Sequence, residues 1–226
     1  MTTLQNRKYL ILILTLIGAL IAESFAYRDF VSDVLITLTV LAVLPVVFKG
    51  WRERTVAFAA ATAATAVHWS AYVYLPHALL QAVAYHGLLA VFLGFTVAVI
   101  LRNIFAETAI TGDKVLGAAC GYLLAAGMWA NIYALTELLV PGSFSTSAGL
   151  AQELSSWRGR TALFDYFSLV TLTTMGYGDV TPVRPPATVL ATLEALFGQF
   201  YIAVVVAALV GLRLAQAFGP RDPQSR

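Results

Sequence analysis

Residues 173–179 read Thr173-Thr174-Met175-Gly176-Tyr177-Gly178-Asp179 and lie between two apolar stretches of unequal length. Upstream, residues 161–173 are apolar and aromatic but too short for the ~20 residues that a helix needs to cross a bilayer. Downstream, residues 187–212 are long enough. Gly176 and Gly178 forbid a regular helix through the string and open backbone angles closed to other residues. At membrane depth, non-helical backbone is tolerated only where it is buried in protein or lines a water-filled path. Successive carbonyls pointing one way, joined by the Thr174 hydroxyl, would replace the hydration shell of a monovalent cation. One chain supplies one strand of such a lining, so a closed ring needs four copies.

Composition agrees with a membrane setting. Of 226 residues, 59% are hydrophobic and only 12% charged, against about 25% charged in soluble domains. The mean hydropathy is +0.79. A net charge of +2 cannot build the basic face that nucleic acid requires. Cys120, the single cysteine, lies in an apolar run, so no disulfide framework enters the reading.

Working outward, apolar segments cover residues 9–26, 31–48, 55–75, 78–101, 115–140 and 187–212. The third is rich in alanine (Ala59, Ala60, Ala63, Ala64, Ala66), which lets neighbouring helices approach closely. Pro185 and Pro186 suit the entrance of the last helix, where a missing N–H costs least. Residues 141–160, rich in Gly, Ser and Pro, read as an exposed loop. The expected fold is an all-α multi-pass cell-membrane protein with six transmembrane helices, a re-entrant helix and an extended turn. Lys and Arg fix its orientation. With a cytoplasmic N-terminus, ten of the 14 lie on that side, and only Arg28, Arg158, Arg160 and Arg184 face the other. Both termini are then cytoplasmic. A cleavable leader ending near Ser24-Phe25-Ala26 is the competing reading of the first segment, and Glu23 and Phe25 suit it poorly.

The string Thr174-Met175-Gly176-Tyr177-Gly178-Asp179 resembles the filter signature of the tetrameric potassium channels with a pore loop, with Met at its variable position. The resemblance covers roughly residues 115–213. It implies a homotetramer in the lipid bilayer, with K⁺ as the permeant ion and no cofactor, passing along carbonyls of Thr174, Met175, Gly176 and Tyr177 up to Gly178. It divides the chain into a four-helix domain (1–108) and a pore domain (109–226). The pore domain holds an outer helix, a turret at 141–160, a pore helix at 161–173, the filter at 174–179, an inner helix at 187–212 and a short tail. Neither nucleic acid nor an enzymatic reaction is expected.

Around the filter, Asp179 reads either as a brace accepting a bond from Tyr166 or as a solvated turn residue. Val170 stands where some relatives carry a second carboxylate, which leaves bracing to Asp179. Gly198, 20 residues beyond Gly178, reads as a gating hinge or as a packing glycine. Gln199, Ile202, Val206 and Val210 share one helical face. Either that row lines the pore, with Gln199 below the filter, or Gln199 bonds a neighbouring helix. Glu194, off that row, is assigned behind the pore helix as a hydrogen-bonding group, with a protonated acid among its options.

Six spans with a terminal pore match the layout of voltage-gated channels, whose fourth helix repeats Arg or Lys. Residues 78–101 hold neither, and Arg102 ends the segment, so weak voltage dependence is expected. His68 and His86 sit at equal depth on consecutive segments. Axial haem or metal ligation, a proton-sensitive pair and plain hydrogen bonding are the three readings. The 14-residue tail after Leu212 offers no regulatory domain. Two rival functions follow: a secondary potassium transporter, which an intact single filter disfavours, and an intramembrane sensor or redox protein with a non-conducting pore.

Overall fold

The computed structural model describes residues 8–25, 30–48, 50–73, 79–106 and 112–218. Five helices come first: α1 (Lys8–Phe25), α2 (Phe30–Val47), α3 (Trp51–Val73), α4 (Leu79–Ala106) and α5 (Gly112–Leu139). A compact insert follows, made of β1 (Phe144–Thr146), α6 (Ala151–Ser155), α7 (Trp157–Leu172) and β2 (Val180–Pro182). The long helix α8 (Pro185–Phe218) closes the described chain.

Among the described residues, three helices are long and apolar enough to cross a membrane: Leu79–Ala106, Gly112–Leu139 and Pro185–Gly211. At ~1.5 Å per residue, the 28 residues of α4 or α5 exceed the ~30 Å hydrocarbon layer. The first helices are shorter, with apolar parts at Lys8–Ile21 and Thr37–Val47. Arg7, Arg28, Lys49, Arg221 and Arg226, five of the charges that orient the chain, lie outside the described residues.

Four boundaries depart from the sequence expectation. The pore helix begins at Trp157 rather than at residue 161. Ser156 supplies the reason: it holds an extended backbone and its Oγ accepts the Gly159 N–H at 3.0 Å, a helix-starting cap. The expected turret at 141–160 is structured, since β1, α6 and the first turn of α7 lie within it. The inner helix runs Pro185–Phe218 instead of 187–212, with both prolines in its first turn, where an amide would have no helical partner. Finally, α4 continues to Ala106, past Arg102. Glu53 on α3 meets the Arg102 guanidinium at 2.6 Å, so the charge does not end the helix.

Two apolar cores share the work. One joins α1 to α5 and the lower half of α8, with Leu12, Val43, Phe92, Ile100, Leu124 and Val205 buried. Asp113 Oδ1 accepts the Tyr9 N–H at 3.2 Å, satisfying an amide in the first turn of α1 that no helical carbonyl can reach. Gly117 lets α1 lie close to α5, because a Cβ there would stand 3.2 Å from the Tyr9 ring. The second core sits under the insert. Tyr133 of α5, Phe144 of β1 and Phe164 and Phe167 of α7 pack ring to ring, with Phe144 and Phe164 centroids 4.7 Å apart. This cluster seats the short helix α7 between α5 and α8.

Candidate functional site

The last turn of α7 runs directly into the string 174–179. Thr173 N–H donates to the Leu169 carbonyl (3.0 Å), Thr174 N–H to Thr171 (3.0 Å) and Met175 N–H to Val170 (2.9 Å). Beyond Met175 the chain is extended, and its backbone alternates in hand. Thr174, Gly176 and Gly178 have φ of +61°, +56° and +78°, whereas Met175 and Tyr177 do not enter the positive region. Left-handed backbone at every second residue keeps the string from continuing as a helix. Thr174 is the only non-glycine with positive φ among the described residues, a strained state that persists where surroundings impose it. The carbonyl end of α7 abuts this string, and the negative end of a helix favours a cation.

The outer end of the string is clamped on both sides. Asp179 Oδ2 accepts the Tyr166 hydroxyl at 2.6 Å, and its Oδ1 accepts the Val180 N–H at 3.0 Å. Hydrogen bonding to Asp179 pushes the Tyr166 phenol up to about 12. Ser147 N–H donates to the Asp179 carbonyl at 2.9 Å. Immediately after, β2 pairs antiparallel with β1, setting Thr146 opposite Val180 and Phe144 opposite Pro182. The turn before β1 is fixed from α5: the Glu137 carboxylate accepts the N–H groups of Gly142 (2.8 Å), Ser143 (2.9 Å) and Phe144 (3.2 Å). Arg184 Nε reaches back to the Gly142 carbonyl at 3.2 Å. Arg160 at the start of α7 donates to the Leu154 carbonyl (3.2 Å), and burial lowers its pKa while it stays a cation.

Behind α7, the inner helix contributes a second acid. Glu194 is fully buried; the Tyr133 hydroxyl donates to its Oε2, and Ser168 Oγ of α7 touches its Oε1. Ser168 Oγ also reaches the Ala126 carbonyl of α5 at 2.8 Å. Val170 is buried as expected of an apolar residue, but Asp179 is not the sole carboxylate bonded to the pore helix. Glu194 holds it from the opposite side.

Gly198 is buried against the end of α7, and a Cβ there would collide with the Leu172 carbonyl oxygen. That carbonyl also accepts the Tyr122 hydroxyl at 2.8 Å. The glycine lets α8 approach the end of α7, in line with its packing reading. Gln199, Ile202, Val206 and Val210 occupy a different face of α8, uncovered in the single chain. The same helix also leaves Leu193, Leu196, Phe200 and Val204 exposed.

His86 Nδ1 lies 2.8 Å from the Asn131 Oδ1, in the core. Tyr85 sits against both histidines, with ring centroids 5.0 Å from each. Among the described residues, no three His, Cys, Asp or Glu side chains group as metal ligands.

Three features above lie outside the sequence expectation: the left-handed Thr174, the β1–β2 clamp and the Glu137 cap. A Glu five residues before Gly142 in a Pro-Gly-Ser turn was the available hint for the last.

A short helix runs into a non-helical string between two helices long and apolar enough to cross a membrane. Residues 133–212 match the family described as ion channel. Two pore potassium channel c of Oryza sativa subsp. japonica is 35% identical over 71 residues, 31% of this chain. The chain covers 14% of that relative's length. Through residues 133–212 the chain is similar to the ion channel family and, in part, to that potassium channel.

Proposed function

We propose that the protein is a potassium-selective channel of the cell membrane, conducting K⁺ passively through a fourfold ring of residues 174–178. The observation that carries this reading is the positive φ at every second residue, Thr174, Gly176 and Gly178, which suits a strand whose carbonyls face one way. Carbonyl rows of this kind replace the hydration shell of an ion only when several copies face a common axis. Support for four copies comes from α8, whose Gln199–Ile202–Val206–Val210 row and neighbouring Leu193–Phe200 face are uncovered in one chain. In the ring, the first row would face the axis and the second a neighbouring subunit. Asp179 and Tyr166 act as the filter brace. In this reading residues 1–108 are a four-helix membrane domain and 109–226 the pore domain, in a six-span layout with both termini cytoplasmic. The absence of basic residues along 79–101 supports weak voltage dependence.

The test is ion flux from lipid vesicles containing the purified chain, with the mass of the detergent complex measured alongside. Rapid K⁺ efflux with Na⁺ retained, from a complex of four chains, is the expected result. A complex of one or two chains, or equal K⁺ and Na⁺ efflux, would refute the proposal.

A further inference from the structure

Counting protons around Glu194 yields more than its burial does. Three contacts form an unbroken line: Tyr133 Oη to Glu194 Oε2, Glu194 Oε1 to Ser168 Oγ, and Ser168 Oγ to the Ala126 carbonyl. Each contact needs one hydrogen between its two oxygens. The Ala126 carbonyl has none to give, so the Ser168 hydroxyl proton belongs to that contact. The Tyr133 proton belongs to the contact with Oε2. The middle contact then lacks a hydrogen unless the carboxyl group carries it. With an ionised Glu194, two hydrogens serve three contacts, and Ser168 must abandon either α5 or α8.

The two hydroxyls of Tyr133 and Ser168 are the only local support for the ionised form among the described residues, and no cation joins them. The titratable groups that face Glu194 are Tyr133 and Tyr122 of α5, both phenols. The pore helix brings Ser168, and β2 brings no titratable side chain. No salt bridge reaches Glu194 among the described residues. An unpaired charge in such a place is strongly disfavoured.

We propose that Glu194 is held as a neutral carboxylic acid whose proton ties the inner helix α8 to the pore helix α7, and that loss of this proton loosens α7 and lowers conduction. Glu194 is thus a positioning residue, acting on the filter through Ser168. The protonation half stands on the hydrogen count alone. The conduction half rests on the pore reading proposed above.

Infrared spectroscopy of the full chain in lipid vesicles tests the first half. A protonated-carboxyl stretch should be present at neutral pH, fade on alkaline titration and be missing from Glu194→Gln. If the Glu194→Gln spectrum keeps the whole band, the acid is ionised and the proposal falls. Should that variant not fold, Ser168→Ala assigns the band by shifting it, because the acid loses its acceptor; an unshifted band overturns the proposal. Potassium efflux from the same vesicles tests the second half. Wild-type efflux should fall several-fold between neutral and alkaline pH. In Glu194→Gln it should not fall, since the amide donates to Ser168 and accepts from Tyr133 at every pH. Equal falls in both proteins would overturn the coupling. A wild-type protein without potassium flux at any pH would remove the pore reading and the coupling together, while the infrared band still decides the proton.

Discussion

The two halves of this molecule are held together in different ways. In residues 112–218, charged or hydroxyl side chains grip the backbone: Glu137 holds three amides, Asp179 an amide and a phenol, and Ser168 a carbonyl. In residues 8–106 the helices meet chiefly through apolar surfaces, such as the stacked rings of Phe48 and Phe95, 5.5 Å apart. Polar ties here join one helix to the next, for example Trp69 Nε1 to Thr37 Oγ1 at 3.2 Å and the Arg102–Glu53 pair. Apolar packing is non-directional and fixes contact area more than atomic position. Hydrogen bonds to backbone fix positions. Directional bonds thus dominate around residues 173–182, and apolar contact among the first four helices.

The most damaging way to probe that contrast is Gly178→Ala. The residue sits at φ +78°, where a Cβ is strained whatever the space around it. Preference for K⁺ over Na⁺ should vanish in vesicle flux, while the complex keeps its mass. Next in size is Glu137→Ala, which strands the amides of Gly142, Ser143 and Phe144 together. A hydrogen bond to a charged group contributes about 1.5–3 kcal/mol, so a loss of at least that order is expected, read as a lower unfolding midpoint in detergent. Tyr166→Phe deletes only the bond to Asp179. It should cost about 1–2 kcal/mol and appear as current that decays faster under sustained opening, with selectivity kept.

These same sites show which parts of the pore were readable from residues alone. Gly176 and Gly178 announce a break from helix because glycine adopts those angles without the strain other residues bear, and a Tyr thirteen positions before an Asp can span a short helix. The β1–β2 pairing was invisible, since strands of three residues carry no alternation to detect. The start of α7 was missed because Arg158 and Arg160 look like loop residues until Ser156 is seen to cap the helix. Thr174 gave no warning either: its positive φ is imposed by its neighbours and not by its type. A bond from Glu194 to the pore helix was expected, but its partner Ser168, 26 positions away, lay beyond the reach of any local pattern.

Smaller effects belong to the other half. Arg102→Gln removes an exposed ion pair with Glu53, worth roughly 0.2–1 kcal/mol. Its unfolding midpoint should barely move, and the slope of open probability against voltage should stay shallow, as in the wild type. A full crossing by one charge would contribute about 2.3 kcal/mol per 100 mV; a steep slope in the wild type, lost in Arg102→Gln, would make the helical half a sensor. Smallest is the expected effect of Tyr166 ionisation. Its raised value means that the neutral phenol, and the bond to Asp179, persist below the ordinary tyrosine range of ~10 and are lost only as pH climbs through about 12. Between neutral pH and ~10, then, Tyr166→Phe should leave the pH profile of conduction unaltered, and any alkaline response should trace to Glu194.

The contrast between the halves comes down to one quantity, the reversal potential of current through the purified protein in a planar bilayer with K⁺ on one side and Na⁺ on the other. Wild-type current should reverse far toward the potassium equilibrium potential, and Arg102→Gln should reverse at the same voltage. Gly178→Ala current, where any remains, should reverse near zero. A wild-type reversal near zero, or an unchanged reversal in Gly178→Ala, would contradict the claim that the backbone of residues 174–178 selects the ion.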